Sequence, residues 1–180
     1  TDATTDEASE TSETDAVGAV RVAHLSPNAP SVTVFVDGTP TFETLSYGTV
    51  TDYGGVTAGE HTVRITPASD TDQTVFEGTV SVADDTGYTI AATGELGDDG
   101  NRRFTPQVLP DDVTDPGNNN ARIRFLHAVP DAPAVDVQIV TGGDTVTVFD
   151  SAAFGDAQSV ELPLGEYSLD IRDADSGEIL

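Results

Sequence analysis

The residues in this chain whose types and spacing come nearest to chemistry are His24, Ser26, Pro27 and Pro30. A serine close to a histidine is the beginning of a nucleophile–base pair, which acyl transfer requires. The segment occurs twice. Residues 21–34 read RVAHLSPNAPSVTV and residues 124–137 read RFLHAVPDAPAVDV. At a constant offset of 103, Arg21/Arg124, His24/His127, Pro27/Pro130, Ala29/Ala132, Pro30/Pro133, Val32/Val135 and Val34/Val137 agree, seven of fourteen positions. The second copy carries Val129 where the first has Ser26, and no Gly-x-Ser-x-Gly elbow occurs. A zinc centre needs three or four converging ligands. Only His61 remains as a third histidine, and its counterpart in the second copy is Tyr167. The three histidines are therefore expected to pack and hydrogen-bond. The prolines fix φ near about −65° and restrict the residues before them. Each segment should form a stiff corner between two strands, with His24 or His127 bonding across it.

Acidic loops are the next candidates. Asp98-Asp99-Gly100-Asn101, Asp111-Asp112 and Asp173-Ala174-Asp175-Ser176-Gly177-Glu178 could supply oxygen ligands to Ca²⁺, but none fits the twelve-residue EF-hand loop. With 32 acidic residues in 180, such clusters arise from composition alone. No glycine loop suited to phosphate is present. The expectation is a non-enzymatic protein with no catalytic, cofactor-binding or metal residues, Ca²⁺ being the one cofactor left open.

The elements that must position these residues read as short strands. Val32, Val34 and Val36 alternate, and Asp37-Gly38 is a hairpin turn. Val63 and Ile65 share a face, with Thr62, Arg64 and Thr66 pointing away. Phe76, Val80 and Val82 form another row, Asp85-Thr86-Gly87 turns the chain, and Tyr88, Ile90 and Ala92 follow. Phe104 to Val108 closes the unit. About seven strands at this spacing predict an antiparallel β-sandwich of immunoglobulin-like type, without the Cys…Trp…Cys signature. In the second copy, Val135, Val137 and Ile139 match the first inward row. Phe154-Gly155 matches Tyr47-Gly48, Gly165-Glu166-Tyr167 matches Gly59-Glu60-His61, and Leu169 and Ile171 match Val63 and Ile65. The fold class is thus all-β, two tandem sandwich domains. A Thr/Ser-rich acidic leader covers 1–19, the first domain 20–110, a linker 111–120 and the second domain 121–180. Counterparts of Glu77 through Leu109 are missing from the second domain, 109 − 77 + 1 = 33 residues. Three readings fit: further residues follow Leu180, the stretch is a fragment, or a strand from another copy completes the sheet near Ile179-Leu180. In the third reading Val17, Ala19 and Val20 are the leader's only plausible donors.

The pattern His24-Leu25-Ser26-Pro27-Asn28-Ala29-Pro30, followed by Val32-Thr33-Val34-Phe35-Val36-Asp37-Gly38, resembles the opening of the family called domain of unknown function 4397. The Tyr47-Gly48 step, the Gly59-Glu60-His61 turn and the Gly87-Tyr88-Thr89 strand start add to the resemblance. It covers residues 20–109 well and 121–180 in part. It implies a β-sandwich and secreted or surface-attached tandem modules of bacteria and archaea. It implies no reaction, so no catalytic residues carry over.

Charge sets the environment. Seven arginines and no lysine stand against 32 Asp and Glu, a formal charge of −25. Such a chain repels itself in dilute salt, whereas at about 1 M the Debye length falls to roughly 3 Å. A halophile protein is expected. No basic stripe exists to release counterions, so nucleic acid is excluded as a partner, and no apolar run is long enough for membrane insertion. Cys, Met and Trp are absent, which removes disulfides and thiol chemistry. The functional expectation is an extracellular structural protein of the cell surface or of a filament. It would self-associate into a polymer or surface layer, possibilities that include strand exchange between subunits. The alternative is an envelope binding module for sugar or calcium.

Overall fold

A computed structural model describes residues 16–117, 119–141 and 144–180. Most of the acidic leader, residues 1–15, lies outside the described residues. Thirteen strands and no helix make up the described chain: β1 (Val17–His24), β2 (Val32–Val36), β3 (Thr39–Leu45), β4 (Gly54–Thr57), β5 (Gly59–Pro67), β6 (Phe76–Val82), β7 (Gly87–Thr93) and β8 (Thr105–Asp111) in the first repeat, then β9 (Asn120–Leu126), β10 (Val135–Thr141), β11 (Asp144–Ala152), β12 (Ala157–Pro163) and β13 (Ser168–Asp173) in the second. The chain is all-β, in several open sheets. The first repeat has eight strands where about seven were expected. They form two four-stranded sheets, ordered β4-β1-β7-β8 and β3-β2-β5-β6.

The core lies between these two sheets. Val20, Val22, Val56 and Ile90 of the first meet Val32, Val34, Val63, Ile65, Val80 and Val82 of the second. The alternation read in the sequence produces this layer, each fully buried side chain contributing about 1.5–3 kcal/mol. Asp37 and Gly38 both have positive φ, 49° and 79°, the two-residue turn that matches strand twist.

Three differences from the sequence reading have physical causes. The β1–β7 pair is parallel, so the unit is not purely antiparallel. The whole second sheet lies between these strands in sequence, which gives the chain room to return in the same direction. Thr66, expected to face away, is fully buried opposite Thr33. The strands β3, β4, β11 and β12 were not read as strands. β4 begins Gly-Gly, a turn signal, yet pairs with β1 from Val20 to Val17. β3 is largely exposed and bulged, so no alternation marks it.

The second repeat copies the first strand for strand as far as it runs. β12 pairs with β9 as β4 pairs with β1, and the order β11-β10-β13 repeats β3-β2-β5. Val137 faces Ile171 across the ladder as Val34 faces Ile65. Among the described residues, no strand covers β9 where β7 covers β1. β13 carries only a single bridge, Arg172 to Ile179, where β6 covers β5. Ile171 is accordingly 42 % exposed where Ile65 is 0 %.

Candidate functional site

The two corners are superimposable in their bonding. His24 Nε2 lies 3.0 Å from the Pro30 carbonyl, and the Ser26 amide donates to Nδ1 at 3.4 Å. His127 makes the same bonds to the Pro133 carbonyl and from the Val129 amide, at 3.0 and 3.4 Å. A carbonyl only accepts and an amide only donates, so each ring is the tautomer protonated on Nε2. Gly48 and Gly155, both with positive φ, donate at 2.8 Å to the carbonyls of His24 and His127. Both histidines are buried. Proline at 30 and 133 fixes the acceptor carbonyl, and the histidine at the strand end closes the corner. The Ser26 hydroxyl donates to the Gly94 carbonyl at 2.6 Å. Its proton is therefore committed to β7's exit rather than to His24, and no nucleophile–base pair is formed.

His61 does something different. Its Nδ1 lies 2.7 Å from Asp37 Oδ2 and its Nε2 2.7 Å from the Thr57 carbonyl. Both partners accept, so both ring nitrogens must carry protons. The Asp37 carboxylate, then the Thr57 carbonyl, raises the His61 pKa, and the His61 bond followed by the Thr62 amide lowers that of Asp37. This ties the β2–β3 turn to β5. Because the folded His61 pKa is raised, its stabilisation is complete below the ordinary value of about 6.5 and is lost as pH rises through the raised one. The Asp37 contribution is complete above its ordinary value of 3.8 and is lost as pH falls through the lowered one. The lock is thus strongest between about pH 4 and 6.5. We expect the melting difference between the native chain and His61→Phe to be largest in that window and to shrink toward pH 9. Equal differences at pH 5 and pH 9 would contradict the lock.

The acidic loops spend their carboxylates locally. Asp98 accepts from the Gly100 amide at 2.7 Å and pairs with Arg102 at 3.3 Å. Asp173 accepts from the amides of Asp175 and Ser176, and the Ser176 amide is the main cause of its lowered pKa. Asp112 accepts from both the hydroxyl and the amide of Thr114, which lower its pKa, and pairs with Arg122 at 2.9 Å. Among the described residues, no group of three His, Asp or Glu side chains converges as a metal site would require.

Asp111, read from sequence as a possible Ca²⁺ ligand at the start of a linker, is instead the last residue of β8 and the centre of the junction between the repeats. Its side chain is buried to 7 % exposure. Oδ2 accepts from Tyr53 at 2.6 Å and Thr89 at 2.7 Å, and Oδ1 accepts from Arg124 Nη1. Arg21 Nε stands 3.7 Å away and bonds Thr89 Oγ1 at 2.9 Å. Burial pushes the Asp111 carboxyl up, but the bonds from Tyr53, Thr89 and Arg124 outweigh it and hold the pKa below the usual range. Burial, then the Asp111 carboxylate, raises the Tyr53 phenol. Arg124 also donates to the Pro110 carbonyl. Beside it on β9, Arg122 donates to the carbonyls of Asp112 and Thr114 at 3.0 Å and to Glu161 at 2.6 Å. Arg21 and Arg124 are equivalent positions of the repeat, so the two copies of one arginine meet on a single carboxylate. Sequence reasoning missed this cluster. Its available signal was the scarcity of cations: three of seven arginines lie at one place, on a cleft of about 280 Å³ that Tyr53 and Ser159 also line.

Fold and corners together define an all-β protein of repeated sheets pinned at His–Pro corners. Its sequence matches the family model described as domain of unknown function (DUF4397) over residues 18–138. That is more than half of the chain, which belongs to this family. No curated protein sequence matched the chain.

Proposed function

We propose that the chain is a non-enzymatic extracellular structural protein of a halophile, a cell-surface or filament subunit built from two immunoglobulin-like sandwich modules in tandem. The observation that carries this reading is the Asp111 junction. A buried carboxylate clasped by arginines from both repeats resists bending between them, as a load-bearing or displaying subunit requires. The histidines, the serine and the acidic loops all serve as fold fastenings, which agrees with a protein that holds rather than reacts. Among the described residues the edge of β9 opposite β12 is unpaired, and with exposed Ile123, Leu169 and Ile171 it supports association by strand pairing between subunits. A surface of carboxylates without lysine supports the saline setting. No helix among the described residues is long and apolar enough to cross a membrane.

Sedimentation and negative-stain microscopy in 2 M KCl test the proposal. Reversible, concentration-dependent assemblies are expected, and they should weaken when Leu169 and Ile171 are both replaced by Asp. Monomers at every concentration would remove the assembly role.

A further inference from the structure

We infer that the junction cleft is a binding site for a hydroxylated carboxylate, a sugar acid of the uronate class. This goes beyond the structural reading and does not depend on assembly. The argument begins with Arg21. Its guanidinium lies over the Tyr53 ring at 4.8 Å, and its Nε is held by Thr89. Tyr53 is itself fixed by its hydroxyl on Asp111. The arginine is therefore pre-oriented from two sides. Its two terminal nitrogens make no hydrogen bond to the described residues, and its side chain is 36 % exposed. A pinned guanidinium with an open pair of Nη groups matches the two oxygens of a carboxylate.

The surroundings fit a sugar rather than a bare ion. Asp111, Asp112 and Glu161 balance the three arginine charges, so bulk attraction for any anion is weak and geometry must select. Ser159 on β12 offers a hydroxyl that bonds no described residue, and Asp112 offers its second carboxylate oxygen, Oδ2, the partners that ring hydroxyls use. The volume of about 280 Å³ admits about one ring with its carboxyl. Tyr53 and Val113 also wall an adjoining apolar cleft of about 390 Å³ with glycines at its floor. Gly87 of this cleft lies against Asp111, Tyr53 and Val113, which joins it to the clasp. A neighbouring ring of a polymer has an apolar surface to lie on there.

The test is calorimetric or NMR titration of the full chain with a uronate disaccharide, its neutral counterpart and an acidic tripeptide, at 0.15 M and at 2 M KCl. Saturable uronate binding is expected, with at least about tenfold weaker binding of the neutral sugar and of the peptide. Arg21→Lys keeps the charge but loses the fork and the Nε bond to Thr89, and should weaken binding about tenfold, beyond any shift in its melting curve. Ser159→Ala removes a hydroxyl that bonds no described residue, so it should weaken binding less and leave folding intact. Equal binding by the neutral sugar would sink the carboxylate assignment, equal binding by the peptide would sink the sugar assignment, and no binding or an unchanged Ser159→Ala and Arg21→Lys pair would sink the site. Since assembly is read by sedimentation and this site by titration, failure of either leaves the other standing.

Discussion

Replacing Asp111 with Ala is expected to destabilise the chain by roughly 3 kcal/mol and to loosen one repeat against the other. The substitution removes the acceptor of Tyr53, Thr89 and Arg124 at once. Two arginines and a phenol then remain in a partly buried site without a counter-charge, and an uncompensated buried charge costs far more than the pair gained. For a chain of this size each kcal/mol moves the melting midpoint by about 2–4 °C, so a fall of about 6–12 °C is expected. Small-angle scattering should show a wider spread of distances between the repeats. Asp111→Asn separates charge from geometry. It keeps one acceptor oxygen, so it should recover part of the loss, less in low salt where the arginine charges are unscreened. An unchanged melting curve in Asp111→Ala would show that the clasp contributes nothing to holding the repeats together.

The second large effect is at the corners. His24→Ala should cost about 3 kcal/mol, from a cavity at a fully buried side chain plus the loss of partners for the Pro30 carbonyl and the Ser26 amide. His127→Ala removes the same two bonds. Its corner borders an open cleft of about 260 Å³ that Val129 and Ile171 also line, so the site can relax or admit water. The expected cost is therefore smaller there. Hydrogen exchange measures the two repeats separately. Loss of protection confined to β1, β4 and the 25–31 corner in His24→Ala is the expected pattern, with the second repeat unaffected. Equal costs for both substitutions would mean that the corner acts alone, without the sheet that covers it in the first repeat.

Much of this fold was legible in the sequence because its signals are local. Alternating valines at 32, 34 and 36, the Asp37-Gly38 turn and the paired prolines act within a few residues, and each appears where it was read. The fate of the His–Pro corner was legible too, since repetition with Val129 in place of Ser26 already argued for packing. Edge strands such as β3 were illegible because solvent on one side relaxes the demand for alternation. β4 was hidden by its glycines, which read as a turn; a Cβ at Gly55 would stand 3.2 Å from Val17 of β1.

The sequence by itself determined the repeat, the all-β class, the stiff corners and an acidic surface, because composition and short-range spacing decide these. Only the tertiary structure decided which carboxylate matters. Asp111 looks like any of 32 acidic residues until β1, β7, β9 and the residue preceding β4 bring Arg21, Thr89, Arg124 and Tyr53 around it, from positions up to 103 residues apart. Charge pairing across such separations is set by how sheets pack, and no local pattern encodes it.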